Sequence, residues 1–408
     1  MTWIVVASGL ALLVFLHELG HFSVARLVGM KPRAFYIGFP PAIAKVRRNG
    51  IEYGIGAIPL GGYVRIPGML RPSASDFQAL FSSALREEPA LALPAQAVQQ
   101  RLKDGNYAAA RAALSELSAA LAQVNLSASA LRSAQQAGRD VDDGCAPGAY
   151  WRQRTWKRVA AIAAGPGMNV LVAFVIFFAV YLTGAPSQTP STEVAQVEAN
   201  APAAAAGLRP GDRIVAIDGR RTRTFAEVSK QVGNSRGRPI SVTVERAGRT
   251  VRLEPRRTVE RRGRWIWGFV PASLLVSHSA GESARLAAGD CWSVVTGAVG
   301  AVGGLFHGGQ GAQISGPVGI VRTSEEFLRV GPQWYLELLG LISMSVALFN
   351  LLPLLPLDGG NILFSLIEGV RGRPVSRAVY QRFSALGMAL VLLVTVVAFS
   401  NDLGTTSG

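Results

Sequence analysis

An apolar stretch from about Trp3 to Met30 is long enough to cross a bilayer, which takes about 20 residues, yet it carries His17, Glu18 and His21. Few features restrict a chain more. A charged side chain at a bilayer centre costs about 2.5–3.5 kcal/mol on insertion scales, so ionisable residues there face a protein interior and serve a function. On a helix, positions i and i+4 share one face, so the His-Glu-x-x-His spacing aims both imidazoles at one point. Such a pair suits zinc, which with three protein ligands keeps a fourth position for water and lowers that water's pKa to about 7, while the neighbouring Glu18 takes the proton. The implied chemistry is hydrolysis. The same pattern arises by chance in soluble helices, and the apolar setting is what argues against chance here.

Three further apolar runs, Val159–Leu182, Leu338–Leu357 and Phe383–Ser400, approach membrane length. With 49% hydrophobic and only 16% charged residues, the chain reads as a polytopic α-helical membrane protein with about four transmembrane helices. The shorter, glycine-rich Trp292–Phe306 stays outside that count as an interfacial or packed helix. If polar groups of the first and third spans are to meet at one depth, those spans run in the same direction, which requires one crossing between them.

A net charge of +15 raises nucleic acid as a partner, but the basic clusters sit beside the spans and argue against it. Arg26, Lys31, Arg33, Lys45, Arg47 and Arg48 follow the first, Arg152, Arg154, Lys157 and Arg158 precede the second, and Arg371, Arg373, Arg377 and Arg382 separate the last two. By the positive-inside rule these flanks are cytoplasmic, both termini and about residues 184–333 lie outside, and the metal site opens toward the cytoplasm. Many arginines within 209–264 run against that trend, as long translocated domains are free to do, and they leave contact with anionic lipid open. Cys145 and Cys291 fall on opposite sides, so no intramolecular disulfide is expected. The first run lacks the basic start of a signal peptide. His278 and His307 have no neighbours in sequence that complete a metal set.

A second motif closes the third run: Asn350-Leu-Leu-Pro353-Leu-Leu-Pro356-Leu-Asp358-Gly359-Gly360. Prolines that unwind a helix at membrane depth are tolerated where the freed backbone lines a cavity, and Asp358 is the natural third zinc ligand. An ordinary helix end at the interface carries the same residue types, and from this motif alone the two readings stand level.

Together, the two motifs resemble those of the site-2 protease family of intramembrane zinc metalloproteases, peptidase family M50. Gly54-Ile-Gly56, Ala164-Gly165-Pro166-Gly167-Met168-Asn169 and Ser315-Gly316-Pro317-Val318-Gly319-Ile320 are similar to passages of its PDZ-containing bacterial branch, which includes the regulator-of-sigma-E protease and its actinobacterial relatives. The resemblance covers most of the chain outside residues 74–148. It implies Zn2+ held by His17, His21 and Asp358, Glu18 as general base, and cleavage of transmembrane protein substrates such as anti-sigma factors or signal-peptide remnants. It further implies a multi-pass protein of the bacterial inner (plasma) membrane, in contact with lipid. Asn350 and Asn169 look like the family's polar residues near the active site, which hold substrate backbone or the oxyanion; helix packing is the competing role. Many relatives carry His after the Asp-Gly-Gly, where this chain has Asn361, and the second proline falls one residue later than in some members.

A helical peptide bond is protected by its backbone hydrogen bonds, so a protease acting inside the membrane must first extend its substrate. Ala44–Arg48 and Ile51–Ala57 read as two short strands joined by Asn49-Gly50, a dipeptide of type I′ turns. Their free edge, with Gly54, Ile55 and Gly56, is expected to pair with substrate by β-addition; an ordinary interfacial hairpin is the alternative. The run from Ala206 to Gly219, with Pro210-Gly211-Asp212 turning into an alternating strand, resembles a PDZ domain, with later strands at Ile240–Glu245 and Thr250–Glu254 and a helix at Thr224–Val232. Such a domain either filters substrates by the size of their outer portion or binds peptide ends.

Residues 74–148, alanine-rich with Leu114, Leu117, Leu121 and Val124 at helical spacing, read as an added cytoplasmic helical hairpin whose second helix is capped by Asn106, with a linker near 138–144. The expected organisation is a first transmembrane helix at 1–30, a membrane-associated β-hairpin region at 31–73 and the helical insertion at 74–148. A second transmembrane helix follows at 156–184, then a PDZ-like α/β domain at 191–257 and an extracytoplasmic or interfacial connector at 258–333. Transmembrane helices three and four take 334–370 and 382–400. Two readings compete with the protease: a catalytically idle membrane scaffold whose PDZ domain gathers partners, and a metal transporter. A scaffold has no need of Glu18, and a transporter needs a second intramembrane polar set that the sequence lacks.

Overall fold

The computed structural model describes residues 2–261, 263–305 and 316–404. It divides into two compact units, residues 1–176 with 288–408, and residues 177–287.

The first unit opens with α1 (Thr2–Leu27), which carries the first motif. Two strands of 15 residues follow, β1 (Ala34–Arg48) and β2 (Ile51–Arg65). Asn49 and Gly50 between them both have positive φ, 51° and 78°, as a type I′ turn requires. The expected short hairpin is only part of this sheet. Residues 34–37 pair with 52–55 on one side (Ala34 with Glu52, Ile37 with Ile55) and with 62–65 on the other (Ala34 with Arg65, Ile37 with Gly62), while 44–48 pair with 51–55. Four segments therefore lie in the order 42–48, 51–56, 34–37, 62–65. Gly54, Ile55 and Gly56 sit on an inner segment whose two edges are both taken, so the free edge expected there does not exist. The open edges are 42–48 and 62–65.

Residues 74–145 form four helices, not a two-helix hairpin: α2 (Ala74–Glu87), α3 (Ala92–Lys103), α4 (Tyr107–Leu121) and α5 (Ala128–Cys145). Asn106 caps α4, its Oδ1 accepting the Ala109 N–H at 3.1 Å. Leu114, Leu117, Leu121 and Val124 join Phe77, Phe81, Leu91 and Val98 in a separate core. The presumed linker at 138–144 is the last two turns of α5, because Ala134, Ala137, Val141 and Cys145 bury a stripe of small side chains against that core.

Helix α6 (Thr155–Thr183) carries Pro166 in its interior and runs into the second unit. There β3 (Ala185–Val197), α7 (Pro202–Ala205), β4 (Arg213–Ile217), β5 (Arg220–Arg221) and α8 (Phe225–Asn234) precede β6 (Pro239–Ile240), β7 (Val242–Arg246) and β8 (Arg249–Arg252). Then come β9 (Arg256–Arg257), β10 (Val259–Arg261), β11 (Arg264–Ile266) and β12 (Phe269–Val276). The main sheet has the order β12-β3-β4-β7-β8, with β5 beside β4. Val194, Ile214, Val228, Val244 and Trp267 fill its core. Because β12 pairs with β3, Val276 opposite Ala185, the sheet extends beyond the 191–257 expected from sequence. Asp212 is the buried polar anchor: its carboxylate receives Arg246 Nε and Nη2 at 2.7 Å each and the Arg209 N–H at 2.8 Å. Burial by itself raises the Asp212 pKa, but those donors outweigh it and hold the carboxyl below its ordinary value.

The chain leaves through α9 (Ala280–Leu305) and returns in the first unit as α10 (Pro317–Val330), α11 (Pro332–Asn350), α12 (Asp358–Arg371) and α13 (Arg377–Gly404). His307 and Ser315 lie outside the described residues. The Gly316-Pro317-Val318-Gly319 run starts α10, and the Asp402 carboxylate accepts the N–H groups of Gly316 and Gly319 at 2.9 Å each. Val6 and Leu13 of α1 pack with Tyr335 and Leu339 of α11, alongside Val172 of α6 and Val321 of α10.

Three described helical segments are long and apolar enough to cross a membrane: Thr2–Leu27, Thr155–Thr183 and Ala378–Asp402. The expected third run is not among them, because it breaks after Asn350 and restarts at Asp358, as Pro353 and Pro356 dictate. Leu386, Leu393 and Val396 of α13 stand exposed, which suits a lipid environment.

Candidate metal centre

The break between α11 and α12 puts Asp358 in the first turn of α12, and one face of α1 meets it. Nε2 of His17 lies 3.4 Å and Nε2 of His21 3.2 Å from Asp358 Oδ2, and the two Nε2 atoms are 3.2 Å apart. The three donor atoms all fall within 4.8 Å of one another, the arrangement of a group able to hold a metal ion. His17, Glu18 and His21 are buried. Asp358 Oδ2 is buried and has no hydrogen-bond donor of its own, so it is an acceptor left for a cation. Two imidazoles and a carboxylate form a three-ligand set that leaves an open position on a zinc ion.

The tautomer of His21 is set by geometry. Its Nδ1 lies 3.0 Å from the Ala161 carbonyl oxygen on α6, which can only accept, so Nδ1 carries the proton and the Nε2 lone pair faces Asp358. A backbone partner of this kind fixes ring orientation and raises ligand basicity. The Ala-Gly-Pro-Gly-Met-Asn passage explains how α6 comes so close: a Cβ at Gly165 would fall on the His21 imidazole. Asn169 lies one turn further along the same face. It is fully buried, and neither its Oδ1 nor its Nδ2 has a protein partner, while its carbonyl oxygen accepts Ser343 Oγ at 2.8 Å. A buried amide with both ends unspent is a donor and acceptor held ready for something else.

Asn350 is the last residue of α11 and half-buried. Gly54, Ile55 and Gly56 are placed away from any open edge. Two contacts went unread in the sequence. The first is Gly62, where an added Cβ would reach 2.8 Å from Glu18 Cγ, so the outer segment 62–65 passes beside the proposed base; the Gly61-Gly62 pair was its only sequence signal. The second is at Asn361. Its Nδ2 donates to Leu357 O at 3.3 Å and its Oδ1 accepts the Tyr380 hydroxyl at 2.8 Å, tying α13 to the residue just before Asp358.

A buried cluster of two histidines and an aspartate with a glutamate beside it, on a helix long and apolar enough to cross a membrane, is an arrangement able to hold a metal ion next to a carboxylate. The family model described as peptidase family M50 matches residues 5–394, and the chain belongs to that family. It is 32% identical over 98% of its length to an Agrobacterium fabrum protein assigned by name to the zinc metalloproteases, covering 94% of that protein. It is 29% identical to the zinc metalloprotease RasP of Shouchella clausii, over 96% of each chain. It is also 27% identical to the regulator of sigma-W protease RasP of Bacillus subtilis, over 96% of this chain and 95% of that one. The protein is accordingly a zinc-dependent metalloprotease of the membrane, which displaces the scaffold and transporter readings.

Proposed function

We propose that this protease cuts the transmembrane segments of other membrane proteins, with His17, His21 and Asp358 as the zinc ligands and Glu18 as general base. The observation that carries the reading is the meeting of Asp358 Oδ2 with the Nε2 atoms of His17 and His21, which belong to a helix of membrane-crossing length and hydropathy. Zinc, when bound, supplies Lewis acidity and lowers the pKa of a water to about 7. Glu18, next to His17 and buried, accepts the proton of the attacking water and passes it to the leaving amine. The Ala161 carbonyl holds the ring proton of His21 on Nδ1, which leaves Nε2 to face the metal position. The unspent Asn169 amide is suited to hold the substrate backbone or the developing oxyanion.

The substrate strand is extended by pairing with the open edge at 62–65, not at Ile51–Ala57. Gly62 lies against Glu18, so a strand added there presents its carbonyl carbons beside the base. The arginine clusters flanking α1, α6 and α13 support a site that opens toward the cytoplasm, with residues 177–287 outside as a PDZ-like filter on substrate size. Its Pro-Gly-Asp turn into β4, flanking helix and antiparallel sheet support that likeness. The Bacillus subtilis relative is named for regulating sigma-W, which favours anti-sigma factors as the substrate class. In cells, Glu18→Gln is expected to accumulate membrane-spanning fragments that the native protein removes. Identical fragment patterns would reject the reading.

A further inference from the structure

The insertion at 74–145 plays no part in the chemistry above, yet one of its carboxylates reaches the sheet. Asp143 of α5 is buried, 9% exposed. Its Oδ1 accepts Arg33 Nε at 3.0 Å and its Oδ2 accepts Arg65 Nη2 at 3.2 Å. Those arginines stand at the ends of two paired segments: Arg33 immediately precedes the inner segment 34–37, and Arg65 closes the outer segment 62–65. The Arg33 N–H donates to Arg65 O at 2.8 Å, and the Arg33 carbonyl accepts the Glu52 N–H at 2.9 Å. One buried carboxylate thus ties together three strand ends, and the outermost of them leads within three residues to Gly62 and Glu18. We propose that Asp143 is a positioning residue that fixes the substrate-pairing edge, a proposal that rests on the edge-pairing reading given above.

Three observations assign this task to the charged contact and not to packing. A cavity of about 360 Å³ runs along the seam between insertion and strand end, lined by Arg65, Ile66, Phe77, Leu80, Val141 and Asp143, so apolar side chains do not fill it. Beyond the strand, the chain is held again by Tyr150 and Trp151, whose N–H groups donate to Pro67 O and Gly68 O at 2.9 and 3.1 Å. The insertion's hydrophobic core is made without Asp143. Removing the carboxylate therefore takes away the side-chain tie at the end of segment 62–65, whose position then rests on its backbone pairing alone. Asp140 and Asp142 add only longer, exposed contacts at 3.5 Å to Arg65 and Arg33, and exposed pairs contribute little.

The test uses zinc-loaded full-length protein in phospholipid nanodiscs and a synthetic transmembrane-helix peptide with a fluorophore and quencher. Asp143→Asn and Asp143→Ala are expected to raise KM about tenfold, since each leaves two arginines without their buried partner, with kcat within about twofold and zinc content unchanged. Asp143→Glu, which keeps the charge, should recover most of the loss. Unchanged KM, a fall in kcat at constant KM, or loss of zinc overturns the proposal; if the alanine variant loses helix content, the isosteric asparagine variant decides. Val64→Pro is run in parallel, because the Arg65 carbonyl points inward to Arg33 and alternation turns the Val64 N–H outward. Loss of cleavage in Val64→Pro beside a normal Asp143→Asn removes only the positioning role. Normal cleavage in Val64→Pro removes the edge reading and the proposal together.

Discussion

Gly62 and Glu18 are in contact across the sheet and α1: a Cβ at 62 would lie 2.8 Å from Glu18 Cγ and 2.6 Å from the Tyr36 carbonyl oxygen. At both distances something must shift, and Glu18, a side chain, moves more easily than the Tyr36 backbone. Gly62→Ala is expected to displace the carboxylate by a fraction of an ångström to an ångström, which lowers kcat by about a hundredfold. Zinc content should stay native. Steady-state cleavage with parallel zinc analysis checks both, and undiminished kcat would mean that Glu18 tolerates the shift.

Gly165 plays the matching part on the metal side. A methyl group there would press on the His21 ring and strain its bond to the Ala161 carbonyl. Gly165→Ala should weaken zinc affinity by about 10–100-fold, the range seen when groups supporting a metal ligand are disturbed. Chelator competition measures it.

In the second unit, Arg246→Ala strands the buried Asp212 carboxylate and should destabilise that unit by about 3 kcal/mol, read as faster amide exchange across Val242–Val244. The pH dependence follows from the direction of the shift. Asp212 titrates below its ordinary value when folded, so its contribution is complete above the unfolded carboxyl pKa of about 3.9 and is lost as pH falls through the folded value. The native unit should hold its protection down to about pH 4 and lose it below, and the variant should lack that acid step.

Size filtering can be tested by excision. Ala185 and Val276 are cross-strand partners, so their Cα atoms lie about 5 Å apart and a short Gly-Ser link can replace everything between them. The excised protein should cut a substrate that still carries a bulky outer domain, which the native protein leaves intact. If it cuts only trimmed substrate, filtering is not what these residues do.

The sequence made the local features legible and hid the ones built from distant pairing. The facing of His17 and His21, the I′ turn at Asn49-Gly50 and the capping by Asn106 all depend on a few adjacent residues, and the structure has all three, although Asn106 caps the third helix of the insertion and not the second. Segment 34–37 pairs with two stretches of β2 at once, a topology that no short-range pattern encodes, so the sequence does not show that 51–56 is an inner segment. Residues 138–144 looked like a linker because glycine, arginine and aspartate dominate them; the small residues Ala134, Ala137, Val141 and Cys145, which make α5 pack, carry a weak hydrophobic signal. Leu338–Leu357 looked like one span because hydropathy outweighs two prolines in a count, whereas in the backbone the prolines prevail.

The most direct measurement is the zinc content of the purified full-length protein, native and with Asp358→Ala, taken together with X-ray absorption at the zinc edge. Native protein should hold one zinc per chain with nitrogen and oxygen neighbours including two imidazoles, and Asp358→Ala should lose most of it. A native protein free of zinc, or a zinc signal and coordination unchanged by Asp358→Ala, would contradict a centre built from His17, His21 and Asp358.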